Sequence, residues 1–207
     1  MDTPTRPGHN ALRPAEDQRR DQFREWARRL RDSDRAAYAA LFQAMSEKLV
    51  RYAQTILHDE AGAYDVLQDV FLKIWERRAA LDPASSLQAL LYTMTRNACL
   101  NVRRKNGYIV HDSEDDLGPI ALAQSDEVAA DQRFDAEALQ RQIDTWIQEL
   151  PERRREAFLL SRQHDLTHKE ISELMGLSER TVNTHIFLAL KDLRIRLNAL
   201  QQQKHAP

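Results

Sequence analysis

The nearest approach to a metal site in the sequence is His164-Asp165-x-x-His168, two histidines four residues apart. Such a pair binds one ion only when both rings leave one helical face. Between them Thr167, with Glu170 three residues on, has the form of a capping box, so the histidines fall on either side of a helix start and no metal is expected. The single cysteine, Cys99, lies in an apolar helical pattern and reads as a buried small residue rather than a nucleophile. No Gly-rich phosphate loop, nucleophile elbow or His-Glu-x-x-His occurs, so neither catalysis nor a cofactor is expected. The capping box opens onto a different kind of chemistry. Gly176 offers a left-handed stop after about two turns, Ser178 caps again, and a long helix begins at Arg180-Thr181-Val182. A capped short helix, a Gly turn and a capped longer helix make a helix-turn-helix. At about 100° per residue, Val182, Ile186, Ala189, Leu190, Leu193 and Leu197 cluster on one side, and Arg180, Thr184, Phe187, Leu188 and Lys191 on the other. The second face suits a DNA major groove, where phosphates position a helix and base edges specify the sequence. A plain helical hairpin, with Phe187 or Leu188 packed on a neighbour, is the alternative.

The elements that must hold this motif are helices. Five Gly in 207 residues is about a third of ordinary usage, and charged residues reach 30%, so the fold class is all-α. Ser33 or Asp34 can cap a helix whose apolar positions include Ala37, Leu41, Phe42, Met45, Leu49, Tyr52, Ile56 and Leu57. Tyr64 to Trp75 repeats the pattern and leaves Asp65, Gln68, Asp69 and Lys73 on other faces. After Pro83 a third helix, Leu87 to about Arg104, is apolar and aromatic first (Leu87, Leu90, Leu91, Tyr92, Met94) and ends in Arg103, Arg104 and Lys105, where cations suit the dipole. A further amphipathic helix carries Leu139, Ile143, Trp146, Ile147 and Leu150, and the chain restarts at Pro151 as a first helical position.

Charge is segregated along the chain. Between Ile109 and Glu137 nine acids stand against one base, Arg133, although the whole chain carries only −2. The division is an N-terminal extension (1–22, partly disordered), a helical domain (23–106), an acidic linker (107–136), a second helical domain (137–200) and a tail (201–207). The two flanking blocks are mildly basic, which keeps nucleic acid open as a partner despite a pI near 6.4. The longest apolar run, Ala36 to Phe42, is far short of the roughly 18 residues that span a bilayer, and the start lacks the apolar core of a signal peptide. No membrane insertion and a cytoplasmic location are expected.

These residues resemble the extracytoplasmic-function (ECF) group of bacterial RNA polymerase sigma factors, over about Phe23 to Lys105 and Ile143 to Leu197. LRDSDRAAYAALFQAMSEKLVRYAQTIL followed by YDVLQDVFLKIW looks like the family's second domain, whose polar helix docks on the polymerase clamp. The resemblance makes Asp65, Gln68, Asp69 and Leu72 core-polymerase contacts. LQALLYTMTRNACLNVRRK looks like the helix that opens the minus-10 element, with Arg96 and Asn97 near a flipped base and Arg103, Arg104 and Lys105 on phosphates. The loop Leu81 to Ser86 would help form the base pocket. LPERRREAFLL followed by LTHKEISELMGLSERTVNTHIFLALKDLR looks like the fourth domain, which reads the minus-35 element through Arg180, Asn183, Thr184, Phe187, Leu188 and Lys191. Family members often carry Lys or Arg at the positions of Asn183, His185 and Leu188, and Gly at that of Asp165. The resemblance implies a non-enzymatic initiation factor with core RNA polymerase and promoter DNA as partners, together with an anti-sigma factor, which the family commonly has. A stand-alone dimeric helix-turn-helix regulator, with the first block as sensor and dimer surface, is the rival reading.

Overall fold

A computed structural model of the chain describes residues 13–107 and 136–205, and both stretches are helical apart from short turns. The fold is all-α, in two units, residues 1–110 and 111–207. The linker from 108 to 135 and residues 1–12 lie outside the described residues. No helix of the described residues is long and apolar enough to cross a membrane.

The first unit contains α1 (Arg13–Arg31), α2 (Arg35–Leu57), α3 (Glu60–Glu76), a 3-10 turn (Arg78–Ala80) and α4 (Leu87–Lys105). Each long helix after α1 starts on a side-chain cap. The Asp34 carboxylate accepts from the Ala36 and Ala37 amides at 2.8 and 3.2 Å. A hydrogen bond from Arg29, then those amides, hold its carboxyl below the ordinary value. The stabilisation is therefore complete at neutral pH and is lost as the pH falls through the carboxylate range. Asp59 caps α3 through Ala61 and Gly62, and a Cβ on Gly62 would stand 2.7 Å from the Asp59 carboxylate. The glycine in an otherwise acidic helix start is thus what lets Asp59 lie over the helix end. Ser86 caps α4 through the Ala89 amide at 3.2 Å.

With the ends fixed, α2 turns Ala37, Leu41, Met45, Leu49, Tyr52 and Ala53 inward, where α3 supplies Val66, Val70, Phe71 and Ile74 and α4 supplies Leu87, Leu91, Tyr92 and Cys99. Each fully buried large apolar side chain is worth roughly 1.5–3 kcal/mol. Tyr52 meets Tyr92 edge to face at 5.3 Å. Two residues expected inside are not. Phe42 is 41% exposed, leaning on Phe71 at 4.8 Å, and Leu90 is 38% exposed, because the buried arc of each helix is narrower than its run of apolar residues. α1 packs on this bundle through Phe23, Ala27 and Leu30. It starts at Arg13, so the boundary expected at residue 22 falls inside a helix; the segment ahead of Phe23 has no apolar periodicity to announce it.

The second unit holds α5 (Ala136–Gln148), α6 (Glu152–Arg162), α7 (His168–Met175) and α8 (Glu179–His205). Pro151 stands at the N-cap of α6, one residue before the helical position expected for it. Ile147, Leu150, Phe158, Leu159 and Ala189 form a buried cluster flanked by Ile143 and Leu193. Arg196, largely buried, ties α8 to the end of α5 through Glu149 and pairs with Asp192 at 3.5 Å. The capping box forms in full: the Thr167 hydroxyl accepts from the Glu170 amide at 3.2 Å and the Glu170 carboxylate from the Thr167 amide at 2.8 Å. His164 is buried and His168 exposed, on the two sides of that cap. Asp165 takes φ of 53°, a left-handed conformation that Gly adopts most easily and that Asp is among the few other residues to tolerate.

Thr167→Ala should lower the stability of this unit by about 1 kcal/mol, since it orphans a helix-end amide and frees the Glu170 carboxylate. Chemical denaturation checks it: an unchanged midpoint at unchanged slope would mean that the box contributes nothing.

Candidate nucleic-acid interface

The helix-turn-helix is built by three local choices. Thr167 starts α7, Gly176 ends it with φ of 67° while its amide reaches back to the Ser172 carbonyl, and Ser178 starts α8 by accepting from the Thr181 amide at 3.0 Å. Because both ends of the turn are pinned, the roll of α8 is fixed. Val182, Ile186 and Ala189 are buried, as their spacing predicts. The rest of the buried arc is rotated from the expected one: Leu190 is 38% exposed, while His185 and Asp192 are 1% and 4% exposed. The Arg196 ion pairs with Asp192 and Glu149 lie on that side of α8. His185 therefore belongs to the packed side.

On the outer arc Arg180, Asn183, Phe187 and Lys191 are exposed, with Phe187 at 63%. Thr184 and Leu188 are half-buried, and the Thr184 hydroxyl donates to the Arg180 carbonyl at 2.9 Å. Arg194, seven residues after Phe187, is exposed on the same arc. The sequence reading passed over it, although the helical step reaches it directly.

In the first unit the candidate surface is the end of α4 and the loop before it. Of Arg96 and Asn97, Asn97 is exposed and Arg96 is 8% exposed. Adjacent helical positions point about 100° apart, so the expectation that both face a strand is corrected: α4 presents Asn97 and turns Arg96 toward the bundle beside Thr95. Arg104 and Lys105 are exposed and Arg103 half-buried. Arg104 donates to the Asn101 side chain at 2.6 Å, which steadies its guanidinium along the helix. In the loop, Leu81 is buried, and the Asp82 carboxylate accepts from the Ala84 amide at 2.9 Å and the Ser85 hydroxyl at 2.8 Å. That Asx turn presents Ala84, Ser85 and Ser86 to solvent.

A third surface is of another kind. Asp65, Gln68, Asp69 and Leu72 are all exposed on α3, in one stripe opposite Val66, Val70 and Ile74. Leu72 is 55% exposed and Tyr64, one turn before Gln68, 49%. The stripe thus interleaves polar groups with two large exposed apolar side chains.

Residues 41–108 match Sigma-70 region 2 and residues 140–193 match Sigma-70, region 4. The chain is 30% identical over 173 residues, 80% of its own length and 93% of the relative's, to the ECF RNA polymerase sigma factor SigL of Mycobacterium tuberculosis. Its fold is similar to that of CnrH in complex with the cytosolic domain of CnrY, with a TM-score of 0.59 and 20% identity over 86% of this chain and 99% of that one. It is similar also to that of the sigma factor RpoE in complex with the anti-sigma factor NepR from Bartonella quintana, with a TM-score of 0.56 and 20% identity over 78% and 96% of the two chains. The block that a stand-alone regulator would use as sensor and dimer surface is therefore a sigma region 2, and that rival is not favoured. With both sigma regions present, in order and joined by an acidic segment, the chain belongs to the ECF RNA polymerase sigma factors, which bind core polymerase and direct it to promoters.

Proposed function

We propose a division of labour among the three surfaces. The α3 ridge of Asp65, Gln68, Asp69 and Leu72 docks on core polymerase; Asn97, Arg103, Arg104 and Lys105 of α4, with the Leu81–Ser86 loop, hold the minus-10 strand; and the outer arc of α8 reads the minus-35 element. The exposure of Phe187 carries the reading of α8, since a large aromatic on the second helix of a helix-turn-helix, between Arg180 and Lys191, is placed for a thymine methyl flanked by phosphates. Extruding a base at minus-10 costs a few kcal/mol of unstacking, offset by pocket contacts and backbone pairing. That leaves modest affinity for free DNA, so the polymerase is the obligate partner. The chain acts in the cytoplasm, where core polymerase is, and has no catalytic activity of its own. Its exposed α3 ridge suits an anti-sigma factor that masks the same contacts, and the complex of RpoE with the anti-sigma factor NepR supports a partner of that kind.

A promoter library tests the whole reading. Core polymerase supplemented with the chain should start transcription at one class of two-element promoters that core alone ignores. A palindromic site selected by the chain alone, with no promoter selected by the holoenzyme, would overturn it.

A further inference from the structure

The outer arc of α8 runs on past Lys191. Seven residues bring a helix back to within about 20° of the same direction, so Arg180, Phe187 and Arg194 stand in one row, each about 10 Å along the axis from the next. All three are exposed, and so is Lys191, which lies beside the row between Phe187 and Arg194. Val182, Ile186, Ala189 and Asp192 are buried on the other side of the helix, so the row cannot turn inward. Four exposed arginines on other helices pair with an acid one turn away: Arg24 with Asp21, Arg28 with Glu25, Arg51 with Glu47 and Arg141 with Glu137. The row on α8 has no such neighbour. One turn to either side of Arg194 stand Leu190, Lys191, Leu197 and Asn198, and one turn after Arg180 stand Asn183 and Thr184. Glu179, exposed at the helix start, points about 100° away from Arg180. Among the described residues none of Arg180, Lys191 and Arg194 has an ion pair, whereas Arg196, on the packed side, is taken by Glu149 and Asp192. Lys191 and Arg194, three residues apart, repel each other. The exposed Arg162 and Lys169 belong to α6 and α7 and lie off this row.

Cations without neutralising acids, placed on both sides of an exposed aromatic ring, call for an anionic partner. Phe187, seated against a base edge, would set the depth of α8 in a groove about 12 Å wide. A straight helix leaves the curving groove before and after such a seat, so residues about 10 Å to either side of it lie against opposite phosphate walls. We propose that Arg194 is a further promoter-binding residue: its guanidinium contacts a backbone phosphate of the minus-35 element on the strand opposite the one that Arg180 contacts, and the two arginines hold α8 in register with Phe187 between them. The planar fork of a guanidinium matches phosphate geometry. The proposal rests on the reading of the outer arc as the minus-35 surface. Arg194 follows directly on the matched Sigma-70, region 4, residues 140–193.

The test uses the full chain bound to core polymerase and a library-selected promoter whose minus-35 duplex carries one uncharged methylphosphonate linkage at a time. With the unchanged protein, each contacted phosphate appears as a position where that linkage weakens binding. Arg194→Ala should weaken binding to the unmodified promoter about three- to tenfold, equally for all minus-35 base substitutions, and lower the salt slope by about 0.9. It should also erase the sensitivity at one phosphate, on the strand opposite the phosphate whose sensitivity Arg180→Ala erases. Arg194→Lys should keep most of the slope. An unchanged phosphate map for Arg194→Ala, beside a phosphate lost with Arg180→Ala, would overturn this proposal alone, and so would two lost phosphates on one strand. No lost phosphate for either variant, with an unchanged minus-35 preference for Phe187→Ala, would overturn the reading of α8 and the proposal with it. Weaker polymerase association at an unchanged phosphate map would place Arg194 on a protein interface and overturn it as well.

Discussion

Asp69→Arg combined with Gln68→Ala should abolish co-purification of the chain with core polymerase, while helical content and melting temperature stay those of the unchanged protein. Both side chains are exposed on α3, and neither is a helix cap, so their replacement leaves the Val66, Val70 and Ile74 face intact; surface changes of this sort usually stay within about 0.5 kcal/mol of stability. At a docking ridge the same changes remove an acceptor and reverse a charge, and juxtaposed like charges cost several kcal/mol of binding. A loss of more than about tenfold in affinity is the expected result. The two positions share one short helix with Asp65 and Leu72, so their single effects need not add. Recovery of the double variant with polymerase at the original yield would remove α3 from the docking surface.

How much of this was legible depended on whether local chemistry or packing decided the outcome. The capping box at Thr167, the stop at Gly176, the cap at Ser178 and the choice of Asp34 over Ser33 as cap are matters of local rules, in which one side chain satisfies an amide two or three residues away, and they stand where the sequence allows them. Fold class followed from few glycines and apolar residues at helical steps. Which apolar residue faces in was a harder matter. Leu190 is exposed against expectation, since hydropathy favours leucine inside, while His185 and Asp192 are buried on the side of α8 where Arg196 pairs with Glu149. Arg96 was misplaced for a similar reason, because the packing of α4 on the bundle, not its charge, decides that it is buried. The bond from Arg78 to the Ser33 hydroxyl spans 45 residues of sequence and could not be read from spacing at all.

Truncation along α8 should separate DNA reading from core packing. Val182 and Ile186 are 0% and 4% exposed, and each cut to Ala should destabilise the second unit by roughly 1–4 kcal/mol, through lost burial and an unfilled cavity. Phe187, at 63% exposure, has little burial to lose in the free protein. Its replacement by Ala should leave the melting temperature in place and change the preferred minus-35 base by roughly 1–3 kcal/mol, the scale of one base contact. Arg180→Ala and Lys191→Ala should act on a different axis, weakening all sequences about equally and lowering the salt slope by about one unit each. The half-burial of Thr184 and the bond from its hydroxyl to the Arg180 carbonyl divert that group from base edges, so Thr184→Ala and Leu188→Ala should shift the preference less than Phe187→Ala does. Selection of minus-35 sequences by holoenzymes carrying each variant decides the matter. An unchanged preference for Phe187→Ala, with a changed one for Val182→Ala in a folded protein, would mean that the opposite face of α8 enters the groove.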